Sequence, residues 1–179
     1  MKSPALQPDS RTNHLRSPNE ADAIAMHRLV AETEVLDLNS TYAYLLMATD
    51  FASTSIVAER DGHICGLITG YHPPARPDVL FVWQVAVSAA ARGTGLASAM
   101  LDALVHRVRV NRRGRPVTVE ATVAPSNSAS RAFFGAFARR HGVPIVEEPR
   151  FTAAHLAADE SHEDEPTVRI GPIATSLAD

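Results

Sequence analysis

The fold class that the sequence predicts is α/β (α+β), a single domain with helices on both faces of a central sheet, and three observations predict it. The chain has 179 residues, 45% of them hydrophobic, enough to bury one core without help from a disulfide or a metal. Segments whose apolar residues alternate are interleaved with segments whose apolar residues recur every three or four positions. One long run, Val79 to Val87, is apolar nearly throughout, as a strand covered on both faces is.

Residues 1–11 are polar and proline-containing without periodicity and read as a loose leader; 12–172 form the domain and 173–179 a tail. Asn13 to Arg16 fit a short edge strand. Ser17-Pro18-Asn19-Glu20 has the form of a capping box with proline at the first helical position, and Met26, Leu29, Val30 and Thr33 follow at helical spacing. Asp37-Leu38-Asn39-Ser40 offers polar caps to a second helix, with Tyr42, Leu45, Leu46 and Thr49 on one face. Strands Ser55 to Glu59 and Ile64 to Tyr71 flank Asp61-Gly62, a pair suited to a tight hairpin. Prolines 73, 74 and 77 then impose a loop before the central strand.

Past a glycine-containing loop, Leu96, Met100, Leu101, Leu104, Val105 and Val108 mark a third helix, and Val117 to Val123 a further strand. Pro125-Ser126-Asn127 begins a fourth helix, with Ala129, Ala132, Phe133, Ala136 and Phe137 inward; Gly142 ends it. Beyond Pro149 the pattern weakens: a short helix at 152–158, an acidic run from Asp159 to Glu165 and a last strand from Thr167 to Ile170.

Composition excludes several functions. No apolar stretch resembles a signal peptide or a membrane span, so a cytoplasmic protein is expected. The lone Cys65 sits in an apolar run and reads as a small buried hydrophobe. The formal charge of −3 and the scattered basic residues predict no nucleic-acid partner. No Cys or His spacing suits zinc, so no metal is expected.

The informative unit is strand, loop, helix: Trp83-Gln84-Val85-Ala86-Val87, then Arg92-Gly93-Thr94-Gly95-Leu96-Ala97. Small residues let backbone approach a ligand, and the amides at a helix start attract phosphate. A Walker loop would need Gly-Lys-Ser/Thr, and a dinucleotide fingerprint a different glycine spacing. Arg92 to Ala97 instead resembles the pyrophosphate loop of the GNAT acetyltransferase superfamily. The resemblance implies a mixed, mostly antiparallel sheet with a splayed strand pair, and acetyl-CoA as cosubstrate. It further implies main-chain contacts to the cofactor from Val85 and Val87 and a contact from Asn127. Where the superfamily commonly has a tyrosine to protonate the leaving thiolate, this chain has Phe134, which leaves the general acid unassigned.

The segments Leu36 to Leu46, Phe81 to Val87, Glu120-Ala121-Thr122, Pro125-Ser126-Asn127 and His162-Glu163-Asp164-Glu165 through Ile170 are, in that order, similar to the diaminobutyrate acetyltransferases of ectoine biosynthesis, an osmoprotective pathway. This implies acetylation of the 4-amino group of L-2,4-diaminobutyrate, and a homodimer. A substrate with two ammonium groups and one carboxylate calls for acidic partners, and Asp37, Glu120, Glu163 and Glu165 are the candidates. Asp37 is placed on a substrate ammonium or as a helix cap, Trp83 as a pocket wall or a core aromatic, and Tyr42 and Thr122 as hydrogen-bonding neighbours. Gln84 should face away from Trp83. An alkylammonium with a pKa near ~10 needs a proton acceptor: Glu165 first, Glu120 second. His162 is either a surface residue or part of the substrate site. Another small amine, a non-catalytic acyl-CoA-binding domain or a nucleotide-binding module are the competing functions.

Overall fold

The computed structural model describes residues 13–33, 36–156 and 163–174. Seven strands form one sheet in the order β1-β2-β3-β4-β5-β7-β6. They are β1 (His14–Arg16), β2 (Ile56–Arg60), β3 (His63–Tyr71), β4 (Val79–Val87), β5 (Val117–Thr122), β6 (Ile145–Phe151) and β7 (Glu165–Ile173). The helices are α1 (Ala23–Ala31), α2 (Thr41–Ala48), α3 (Leu96–Asn111), α4 (Ser128–His141) and the single turn α5 (Ala153–Leu156). Every strand pair is antiparallel except β4 with β5.

Two apolar clusters lie on opposite faces, as the two-residue period of the strands requires. Ile56, Ala58, Ile68, Leu80, Val119 and Ile170 pack under α3 and α4. Val57, Leu67 and Ala86 pack under Met26, Val30 and Tyr44 of α1 and α2. The β2–β3 hairpin turns on Asp61 at φ 51° and Gly62 at φ 76°, the two positive values that a type I′ turn needs.

Several sequence-based boundaries shift. The capping box is Asn19 with Asp22 rather than Ser17 with Glu20, because Asp22 reaches back to the Asn19 amide at 2.8 Å. On α2 the inward residues are Tyr44 and Ala48, and Tyr42 is 68% exposed; the short helix rotates to bring the tyrosine hydroxyl that has a buried partner to the sheet. On α4 the buried residues are Phe134, Phe137 and Ala138 rather than the stripe through Ala129 and Ala132. Strand β6 has no counterpart in the sequence reading. It is exposed along nearly its whole length, so it lacks the apolar alternation that marks a half-buried strand.

Candidate active site

The parallel pairing of β4 with β5 covers only Val79 to Phe81 against Thr118 to Glu120. Beyond that row the strands separate, and the β5-facing edge of β4 from Val82 to Val87 has no strand partner among the described residues. Extended backbone with unpaired amides and carbonyls takes up a ligand's own amides. Val85 and Val87, both half-buried, lie on this open edge; the Val87 carbonyl also accepts a bond from Arg92 Nε at 3.3 Å.

A bulge sharpens the separation. Thr69 pairs with Gln84 and Gly70 with Val82, so Trp83 is the extra residue on β4. Gly70 permits this approach, because a Cβ there would lie 2.7 Å from the Phe81 carbonyl oxygen. The strict alternation expected to set Trp83 and Gln84 on opposite faces does not run through this point, since a bulge interrupts the pleat. Leu80 and Val82 join the α3 cluster before it, and Val85 and Val87 after it. Trp83 is left 36% exposed, so it is no core aromatic.

Below the open edge, Gly93 at φ 72° and Gly95 at φ 82° shape the loop into α3. A side chain at either would face open space, so the requirement for glycine is the left-handed backbone itself. Gly95 is the N-cap and brings no side-chain cap, which leaves the first amides of α3 for an anion. Arg92, Gly93, Thr94 and Gly95 are exposed, Ala97 is half-buried and Leu96 is buried; Thr94 Oγ1 bonds back to the Ala91 carbonyl at 2.7 Å. Loop and open edge together fit a pyrophosphate with a pantetheine-like arm. Asn127 caps α4 through Oδ1, 3.0 Å from the Ser130 amide. Phe134 is buried against Phe133 and offers no proton.

On the α1–α2 face, Gln84 is buried and bonded at both ends. Its Oε1 accepts from the Tyr44 hydroxyl at 3.1 Å, and its Nε2 donates to the Asp37 carbonyl at 2.9 Å. The loop that carries exposed Asp37 is thereby fixed to β4 beside Trp83, with exposed Leu38 and Tyr42 next to it. The cap of α2 is Ser40, so the Asp37 carboxylate does not serve as one.

Glu120, Thr122, Glu165, Thr167 and Arg169 share one face of β5 and β7, with Glu120 opposite Arg169 and Thr122 opposite Thr167. Glu120 is 1% exposed and saturated with guanidinium groups. Arg76 Nη1 donates to both of its oxygens at 2.7 Å, Arg169 Nη1 bonds Oε1, and Arg150 lies 3.9 Å away. A carboxylate so engaged has no oxygen open to a substrate proton, and the second choice of proton acceptor falls on this ground. Among the acids at the other end of β7, Glu163 accepts from the Ser126 amide at 3.2 Å and Asp164 from the Ala153 amide at 2.7 Å. The side chain of half-buried Glu165, a residue paired with Phe151, has no hydrogen bond among the described residues. His162 lies outside them. The arginines around Glu120 escaped the sequence reading, because Arg76, Arg150 and Arg169 come from a loop and two strands and meet only once the register is known.

These features, a parallel strand pair that parts at a bulge above an uncapped helix start, define an acyl-CoA-dependent acetyltransferase fold. The model of the acetyltransferase (GNAT) family matches residues 21–138, and the chain belongs to that family, within it to the L-2,4-diaminobutyric acid acetyltransferases. It is 47% identical to the L-2,4-diaminobutyric acid acetyltransferase of Streptomyces coelicolor over 88% of this chain and 91% of that one. Against the protein of the same name from Bordetella parapertussis it is 44% identical over 89% of this chain and 84% of that one. The diaminobutyrate acetyltransferase of Paenibacillus lautus, solved with L-2,4-diaminobutyric acid and coenzyme A, superposes with a TM-score of 0.82 at 36% identity, covering 93% of this chain and 99% of that one.

Among the described residues no helix is long and apolar enough to cross a membrane, and no group of three or more His, Cys, Asp or Glu could hold a metal ion.

Proposed function

We propose that the protein transfers the acetyl group of acetyl-CoA to the 4-amino group of L-2,4-diaminobutyrate, making the N4-acetyl product from which ectoine is formed. The observation that carries this reading is the parting of β4 from β5 directly beside a half-open face that carries charged side chains of both signs. One strand edge holds the thioester; Asp37 on one side and Glu165 on the other hold ammonium groups.

In the reaction, Glu165 accepts the proton of the 4-ammonium, directly or through water. The free amine attacks the thioester carbonyl carbon, the new C–N bond forms, and the C–S bond breaks with release of the CoA thiolate. Backbone amides near Val85 stabilise the charge on the carbonyl oxygen, and Gln84 and Trp83 fix the loop and wall that align the amine. Arg92 to Ala97 hold the pyrophosphate and Asn127 contacts the CoA from the start of α4. Tyr42 and Thr122 supply hydrogen bonds to the diamine; the substrate role expected of His162 falls outside the described residues. The Cys65 thiol plays no part: burial raises its pKa, which makes it a poor nucleophile.

The protein acts in the cytoplasm, as a homodimer, in osmoprotection. For the dimer the support is the edge strand β6, which exposes Ile145 and Val146 and needs covering; light scattering of the purified protein tests it. Release of free CoA from acetyl-CoA with L-2,4-diaminobutyrate, and mass spectrometry of the product, test the reaction. Equal turnover of ornithine and lysine would instead assign the chain to a broader class of small amines.

A further inference from the structure

The cage around Glu120 holds more charge than its carboxylate needs. Three guanidinium groups, those of Arg76, Arg150 and Arg169, meet one carboxylate, and no other carboxylate among the described residues is in ion-pair range of them. Two positive charges are therefore unmatched. A structural role for Glu120 would be served by one bidentate arginine, since each further cation repels the first.

The three arginines are not equally used. Arg76 and Arg169 spend Nη1 on Glu120. Arg150 makes no hydrogen bond among the described residues; its guanidinium stacks 4.8 Å from the centres of both the Phe81 and Phe151 rings, and its side chain is 26% exposed. Held between two phenyl rings, this guanidinium keeps its five donors oriented and available, the state in which arginine takes a planar carboxylate in two parallel bonds.

Its position is equally specific. Phe81 and Glu120 form the last paired row of β4 and β5, so the cage is the floor of the opening, about 7 Å along β4 from Trp83. On β7, Arg169 and Glu165 point to the same face, about 13 Å apart along the strand. The face is thus positive at the floor and negative at the rim.

Building on the function proposed above, we propose that Arg150, with Arg169 and Arg76 behind it, binds the α-carboxylate of the amino-acid substrate. Anchored there, the substrate keeps its 2-amino group beside the floor and extends its 4-amino group toward Glu165 and the thioester. The cage therefore selects amino acids over plain diamines and decides which nitrogen is acetylated. Arg150 can be removed without stranding Glu120, which retains two partners.

The test is kcat/KM for L-2,4-diaminobutyrate and for 1,3-diaminopropane, which has the same spacing of nitrogens but no carboxylate. It is run on the full chain, Arg150→Gln and Arg150→Lys, with melting temperatures as a check on folding. The wild type should prefer the amino acid by at least tenfold. Arg150→Gln should reduce that preference by roughly 10- to 100-fold, the loss expected of a charge-assisted hydrogen-bonded pair, and Arg150→Lys should restore part of it. In Arg150→Gln, NMR of the product should also show acetylation at the 2-amino group. An unchanged ratio in Arg150→Gln, or a wild type that uses both diamines alike, overturns the carboxylate site while leaving the acetyltransferase reading. No transfer to either diamine by the wild type overturns both.

Discussion

The two halves of the sheet are covered differently. Strands β2 to β4 are packed on both faces, by α1 and α2 on one and by α3 on the other. Strands β5 and β7 are packed on one face by α3 and α4, and among the described residues the α1–α2 cluster takes in no residue of β5, β6 or β7. The face left over carries Glu120, Thr122, Glu165, Thr167 and Arg169. Packing on both faces leaves β4 only its free edge and the exposed Trp83 for a ligand; a face outside the α1–α2 cluster can carry charged side chains, and the diamine chemistry proposed above uses it. The comparison separates residues whose loss should reduce turnover from residues whose loss should reduce stability.

The largest effect is expected at Glu165. Replacing it with Gln keeps shape and removes the proton acceptor, and kcat should fall by about 10²- to 10⁴-fold. The melting temperature and the affinity for acetyl-CoA should stay at wild-type values, because the side chain has no hydrogen bond to lose among the described residues. A variant that melts early with normal turnover per folded molecule would erase the distinction between the two faces.

The opposite pattern is expected at Leu67, fully buried on β3 between α1 and β4. Leu67→Ala removes apolar contact and leaves a cavity, at about 2–5 kcal/mol of stability. Urea unfolding measures this, and kcat/KM of the folded fraction should be unchanged.

The same contrast decides what the sequence could say. Doubly packed elements announce themselves: Val79 to Val87 is apolar because both faces are buried, and Leu96 to Val108 recurs at helical spacing because one stripe is. The glycine loop from Arg92 to Ala97 was legible for a different reason, as its glycines are imposed by local backbone conformation. Exposed β6 carried no such pattern, and Arg76, Arg150 and Glu120 are distant in sequence and meet through strand register alone. The bulge at Trp83 was hidden likewise, since nothing in Phe81-Val82-Trp83-Gln84 tells which residue lacks a partner. Glu120 looked like a second base when its type and place near a strand end were all that could be read.

A smaller effect links the halves. Tyr44→Phe deletes the buried hydroxyl that donates to Gln84, at about 1–2 kcal/mol. Because the other end of Gln84 holds the Asp37 carbonyl, the KM for diaminobutyrate should rise more than the KM for acetyl-CoA. Equal changes in both would mean that Gln84 supports the core only.

The smallest effect lies far from the chemistry, at the β1 edge. Arg16 bridges Asp22 at 2.7 Å and Glu59 at 2.8 Å. The guanidinium holds the Asp22 carboxyl below its usual range, with the Asn19 amide adding to this against the opposing effect of burial, while Arg16 itself is raised. A carboxyl whose pKa is lowered in the folded state stabilises that state above its unfolded value of about 4, and the contribution is lost as pH falls through the folded value. Asp22→Asn should therefore cost about 1 kcal/mol near neutral pH, with wild type and variant converging in urea midpoint as the pH drops below 4. Catalysis at neutral pH should be unaffected, because the pair braces the entry to α1 and touches neither the open edge of β4 nor the charged face of β7. A gap that persisted at low pH would place the loss in the Asn19 cap, which the same carboxylate completes, rather than in the ion pair.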